Sequence, residues 1–122
     1  MIAVLTFIVG AAGAVTRFLV DAKVKRRWST SFPWATFGIN VTGSFVLGVL
    51  AGAVLFHGQP SAWQTVLGTG FCGGYTTFST ASFETVRLIQ QKAHRLALFN
   101  AVGSLIASVA ACVGGLVLVW AL

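Results

Sequence analysis

Residues 70–84, GFCGGYTTFSTASFE, set three glycines, the hydroxyls of Thr76, Thr77 and Thr80 around Phe78, and the carboxylate of Glu84 in a stretch otherwise apolar enough to cross a bilayer. Glycine disfavours helix, and backbone groups freed by a break in hydrocarbon must find partners because lipid offers none. Broken helices expose carbonyl oxygens and helix ends, the groups with which channels and transporters meet ions at mid-membrane depth. This segment is therefore the first candidate for a functional site.

Two polar stripes accompany it. Thr36, Asn40, Ser44, Gly48 and Gly52 recur every four residues and share one helical face. Small residues at this spacing form packing seams between membrane helices, which accounts for Gly48 and Gly52. An amide in hydrocarbon needs hydrogen-bond partners, so Asn40 is expected to face a pore or polar cavity. Asn100, Ser104 and Ser108 repeat the spacing near the C-terminus. A serine can also satisfy itself on its own helix backbone, but the three together form a polar track. Amides and hydroxyls without fixed charge favour a partly dehydrated anion over a cation. Phe78 has two readings: core packing, or an electropositive ring edge offered to an anion. Arg17, four residues before Asp21, is either a snorkelling arginine in a helix-end ion pair or part of a pore mouth. Glu84 is expected to pair with Arg87 or Arg17 rather than to transfer protons.

The elements that must position these groups follow from composition. Of 122 residues, 57% are hydrophobic and 8% charged, with a mean hydropathy of +0.89, which marks an all-α integral membrane protein. A spanning helix takes about 20 apolar residues. Four such stretches can be laid down, at about 2–20, 34–56, 63–89 and 96–122, the third of them broken. They make residues 1–122 a single membrane domain, with no soluble domain and no cleaved signal peptide expected. Cys72 and Cys112 read as small apolar fillers, and with His57 and His94 in separate loops they fit no zinc pattern. The net charge of +6 sits just outside the spans, so it reads as a topology signal rather than a nucleic-acid face. Arg17, Lys23, Lys25, Arg26 and Arg27 flank the first connection, and Arg87, Lys92 and Arg95 the third. By the positive-inside rule both connections are cytoplasmic and both termini lie outside the cell membrane. Lys23–Trp28 is expected as a short helix or turn in the headgroup region, with Pro33 ending it and Trp34 opening the second span at the interface.

The motifs GAAGAVTRF around Arg17, ATFGINVTGSFVLG around Asn40, and GFCGGYTTFST with Glu84 behind it resemble those of the Fluc, or CrcB, family of bacterial fluoride channels, over essentially the whole chain. The resemblance implies passive export of cytoplasmic fluoride by a four-span subunit of the inner membrane. Such subunits assemble as inverted, antiparallel dimers, with two pores and a structural Na+ between the broken third helices. Carried over by motif, Gly73 and Thr76 would supply backbone carbonyls to the sodium. Thr36, Asn40, Thr77, Thr80, Ser104 and Ser108 would line the pore with Phe78, and Arg17 and Glu84 would be its charged positions. Ala81 departs from the family's pattern, which commonly has a second phenylalanine there. The implied partners are fluoride, membrane lipid and an inverted second subunit, either a copy of this chain or a paralogue. The one-sided charge points to a fixed orientation and hence to the paralogue. A small multidrug exporter would need a glutamate inside the first span, which this chain lacks. A non-conducting packing subunit would leave Asn40 and Phe78 unmotivated. No nucleophile, base and orienting group converge, so an enzyme is not expected.

Overall fold

The computed structural model describes all 122 residues, and every regular element is helical. α1 spans Ile2–Arg27 and α2 Trp34–His57. α3, residues 61–75, begins and ends in single α turns around a wide π-helical stretch, Gln64–Cys72. α4 is Ser79–Gln90, and α5 is His94–Ala121 with a second wide stretch at Phe99–Gly103. Three helices, Ile2–Arg27, Trp34–His57 and His94–Ala121, are long and apolar enough to cross a membrane. The stretch expected at 63–89 is two helices parted at Thr76–Phe78, where Thr76 turns extended with ψ 161°.

α1 runs further than the hydropathy pattern indicated. Lys23–Arg27 forms its last turns instead of a separate interfacial helix, and the chain becomes extended only at Trp28. Basic groups in a last turn complement the helix dipole. Asp21 pairs one turn ahead, with Lys25 at 3.1 Å, and not with Arg17. The pair is half-exposed, so Asp21→Asn should lower the unfolding free energy by no more than about 0.5 kcal/mol in a denaturant titration.

Two backbone seams bind the helices. Along α2 and α5, a Cβ on Gly48 would overlap the carbonyl of Cys112, and one on Gly115 that of Phe45. Along α1 and α3, a Cβ on Gly74 would overlap the carbonyl of Gly10, and one on Gly13 that of Phe71. Helices in lipid gain from such close approach because apolar side chains alone drive no association there. Beyond α2, Gly58 takes the left-handed cap at φ 63° and turns the chain. His57 Nε2 then lies 2.9 Å from the Val119 carbonyl, tying the ends of α2 and α5. At the opposite end, Phe32 packs against Trp34, Phe37 and Phe99 with ring centroids 4.6–5.9 Å apart, anchoring the α1–α2 connection.

Only 18 residues are buried, while Phe7, Phe18 and Phe78 are 78%, 72% and 87% exposed. An apolar exterior over a core of small and polar residues inverts the arrangement of a water-soluble domain and suits lipid or a second chain.

Candidate functional site

The interruption is held by α2. Asn40 uses both ends of its amide on one residue: Oδ1 accepts the Thr77 N–H at 2.8 Å, and Nδ2 donates to the Thr77 carbonyl at 2.8 Å. Two residues on, the Thr42 hydroxyl donates to the Gly38 carbonyl at 2.7 Å, so it receives the Tyr75 O–H across 3.0 Å. Between these ties the methyl of Thr76 occupies the space a Cβ on Gly43 would need. Residues 75, 76 and 77 are thus each seated on the 40–43 stretch of α2. Thr77 Oγ1 in turn accepts the Thr80 N–H at 3.2 Å and so caps the first turn of α4.

This arrangement frees backbone oxygens. Because the Thr77 N–H goes to Asn40 and the Thr80 N–H to Thr77 Oγ1, neither reaches the residue four positions earlier as a continuous helix would require. The carbonyls of Gly73 and Thr76 are left without that partner. Gly73 is exposed, with no atom within 4 Å of where its Cβ would stand.

An open cleft of about 790 Å³ lies beside the interruption, lined by groups from α2, α3, α4 and α5. Asn40, Gly73, Thr76, Thr77, Phe78, Ser104 and Ser108 all border it, and none of its lining residues is charged. The two serines differ: the Ser104 hydroxyl donates to the carbonyl of Asn100 in its own helix, whereas the Ser108 hydroxyl makes no such bond.

Thr36 and Thr80 belong elsewhere. With Arg17, Asp21 and Thr77 they line a separate cavity of about 160 Å³ on the far side of the interruption, so Thr77 alone of the site residues borders both spaces. The Nε of Arg17 is buried there without a hydrogen-bond partner. Glu84 departs from expectation. It pairs with neither Arg17 nor Arg87, because Arg17 is turned into the Thr36 cavity and the only ion pair in the chain is Asp21–Lys25. Its side chain is buried, with Oε1 unpartnered, and it borders a third cavity of about 230 Å³ together with Lys25 and Arg87.

The sequence reading had no counterpart for the Tyr75–Thr42 bond or for the side-chain bonds of Asn100. A second amide in an apolar helix calls for partners; the Nδ2 end of Asn100 finds them, while its buried Oδ1 has none.

Long apolar helices, a helical segment interrupted over seated threonines, and an uncharged cleft with amide and hydroxyl residues in its wall beside the interruption together define a membrane protein of the ion-conducting or solute-transporting class. The chain belongs to the CrcB family: residues 4–116 match the family described as "CrcB-like protein, Camphor Resistance (CrcB)". It is 51% identical over 109 residues, 89% of this chain and 80% of the relative, to the fluoride-specific ion channel FluC 1 of Leifsonia xyli. FluC 1 of Frankia casuarinae is 45% identical over 86% of this chain and 85% of the relative. FluC 2 of Cutibacterium acnes is 46% identical over 89% of each. These relatives are ion channels by name and not enzymes, in agreement with the reading of the motifs.

Proposed function

We propose that this chain is a subunit of a fluoride-selective channel through which fluoride leaves the cytoplasm passively. The observation that carries the reading is the cleft beside Thr77, a largely apolar wall into which Asn40, Asn100 and a row of threonines and serines are set, with no charged side chain. Fluoride is small and strongly hydrated, so its passage needs several weak donors in series rather than one tight cationic site. The names of the relatives support the same ion.

In this reading residues 61–90 form the third of four crossings, broken midway, and both termini lie outside. Fluoride gathers near Arg17, passes Thr36, Thr80 and Thr77, and continues along Asn40, Ser104 and Ser108, with the exposed ring edge of Phe78 at its side and Glu84 as a charged group near the mouth. The openness of the cleft and the exposure of Phe78 support a second, inverted subunit that closes the wall, giving two pores per antiparallel dimer. With Ala81 in place of a phenylalanine, one ring edge is lost or comes from that partner. The partner is a second copy or a paralogue, and the charge bias favours the paralogue.

The residues present fit a structural sodium ion. Hard cations take oxygen ligands, and the carbonyls of Gly73 and Thr76, relieved of their helical N–H partners, are the groups that would hold it. Such an ion would supply positive charge beside these carbonyl oxygens.

The test is efflux from liposomes holding the purified chain. Rapid loss of fluoride with chloride retained is the expected result, from the chain alone if its partner is a second copy and only with the second subunit added if it is a paralogue. Silence that a paralogous subunit relieves would assign the partner, and chloride loss matching fluoride loss would overturn the selectivity.

A further inference from the structure

We propose that Asn100 and Thr85 form a second clamp on the interrupted segment, holding α4 to α5 through the Asn100 amide nitrogen, and that this clamp sets the spacing between the α4 and α5 walls of the cleft. The functional part of the proposal rests on the channel reading above.

Asn100 is 1% exposed, the most deeply buried polar side chain in the chain. Its Nδ2 donates to Thr85 Oγ1 at 2.8 Å and lies 3.3 Å from the carbonyl oxygen of Ala81. The hydroxyl hydrogen of Thr85 is already committed to that same carbonyl at 2.9 Å. Thr85 Oγ1 can therefore only accept, and Ala81 O can only accept. The amide nitrogen is the one end of Asn100 that suits this place, which fixes the orientation of the side chain. The sequence of donors runs from Asn100 to Thr85 to Ala81, and each bond in such a series polarises the next.

These are the only side-chain hydrogen bonds that join α4 to α5. The rest of the interface is apolar, with Leu88 and Ala97 buried, and apolar contacts permit sliding where a directional bond does not. Asn100 lies in the wide stretch Phe99–Gly103, and the same residue's carbonyl takes the hydroxyl of Ser104. One residue thus connects α4, which carries Phe78 at its start, to the part of α5 that carries Ser104 and Ser108. A displacement of α4 would shift Phe78 and Thr80 against both serines, although Asn100 itself need not touch the ion. It is a positioning residue, and Thr85 is its partner.

The test uses the full chain, reconstituted as for the efflux assay, with Asn100→Ala, Thr85→Val, Thr85→Ser and the Asn100→Ala/Thr85→Val double variant. Amide hydrogen exchange is followed in parallel over 79–90 and over α1. Loss of the clamp should slow fluoride efflux about tenfold or more in Asn100→Ala and in Thr85→Val, a change equal to one decade of rate. Thr85→Ser keeps the accepting oxygen and should stay within about twofold of the wild type, a separation that a role in bulk packing alone would not produce. The double variant should be no slower than the slower single variant. Exchange should rise across 79–90 and stay unchanged in α1. Strictly additive losses, or Thr85→Val with wild-type efflux and wild-type exchange, would overturn the clamp. Should the wild type pass no fluoride either alone or with a paralogous subunit, the channel reading fails separately, and the exchange measurement still decides: unchanged protection of 79–90 in Thr85→Val rejects the proposal.

Discussion

Asn40→Ala is expected to abolish fluoride efflux from reconstituted liposomes, with a loss of about a hundredfold or more, while the helical content of the protein is retained. The cause lies in the backbone. Asn40 supplies the only partners of the Thr77 N–H and carbonyl, both at 2.8 Å. Without the amide, two half-buried backbone groups beside the cleft lose their partners, at up to about 1–3 kcal/mol each. The Gly73 carbonyl would then compete for the Thr77 N–H, and the helix would close over the interruption. Asn40→Asp should be no better. It retains an acceptor for the N–H but sets a second acceptor against the Thr77 carbonyl and adds a charge. Thr42→Val is the control, since it removes the Tyr75 bond at 3.0 Å and the hydroxyl's bond to its own helix backbone but leaves Thr77 seated. It should reduce efflux far less than Asn40→Ala. Efflux within about twofold of wild type in a well-folded Asn40→Ala protein would show that the interruption persists without its clamp, contrary to the cost of buried unpaired groups.

Gly74→Val is expected to prevent recovery of folded protein altogether. A Cβ at this position meets the Gly10 carbonyl at less than van der Waals distance, with the Ala14 nitrogen 3.2 Å away, so the obstruction is backbone on both sides. Overpacking against side chains costs about 1–3 kcal/mol because rotamers can yield, and here none is available to yield. Relief requires moving α1 off α3, which would also part Gly13 from Phe71 and Gly70 from Thr6. Gly114→Ala, on the same kind of apolar helix but with no atom within 4 Å of the new Cβ, should be recovered in wild-type yield and melt at or slightly above the wild-type temperature. Size-exclusion profiles and thermal melts in detergent check both. A monodisperse Gly74→Val protein melting with the wild type would mean that the α1–α3 seam is looser than the close backbone approach implies.

Much of this protein is determined by its sequence alone. Hydropathy is a sum over neighbouring residues, so the start of α1, both ends of α2, the ends of α5 to within two residues and the membrane setting follow from it directly, whereas the charged last turns of α1 do not. The four-residue spacing of small and polar groups likewise assigns Gly48 and Gly52 to a packing seam, because helical geometry relates i and i+4 without reference to the rest of the chain. The glycines and threonines of 70–84 mark the interruption for the same local reason. Only the tertiary structure decides which groups share a space. Thr36 and Asn40 lie on one stripe, yet one borders the Arg17 cavity and the other the neutral cleft. The partner of Asn40 lies 37 residues away, and Asp21 finds Lys25 rather than Arg17. Glu84 finds neither arginine. These outcomes depend on how far each helix is rotated about its axis. That rotation is set jointly by the two backbone seams and by the wide turns at Gln64–Cys72 and Phe99–Gly103, where a single extra residue per turn re-aims every side chain beyond it.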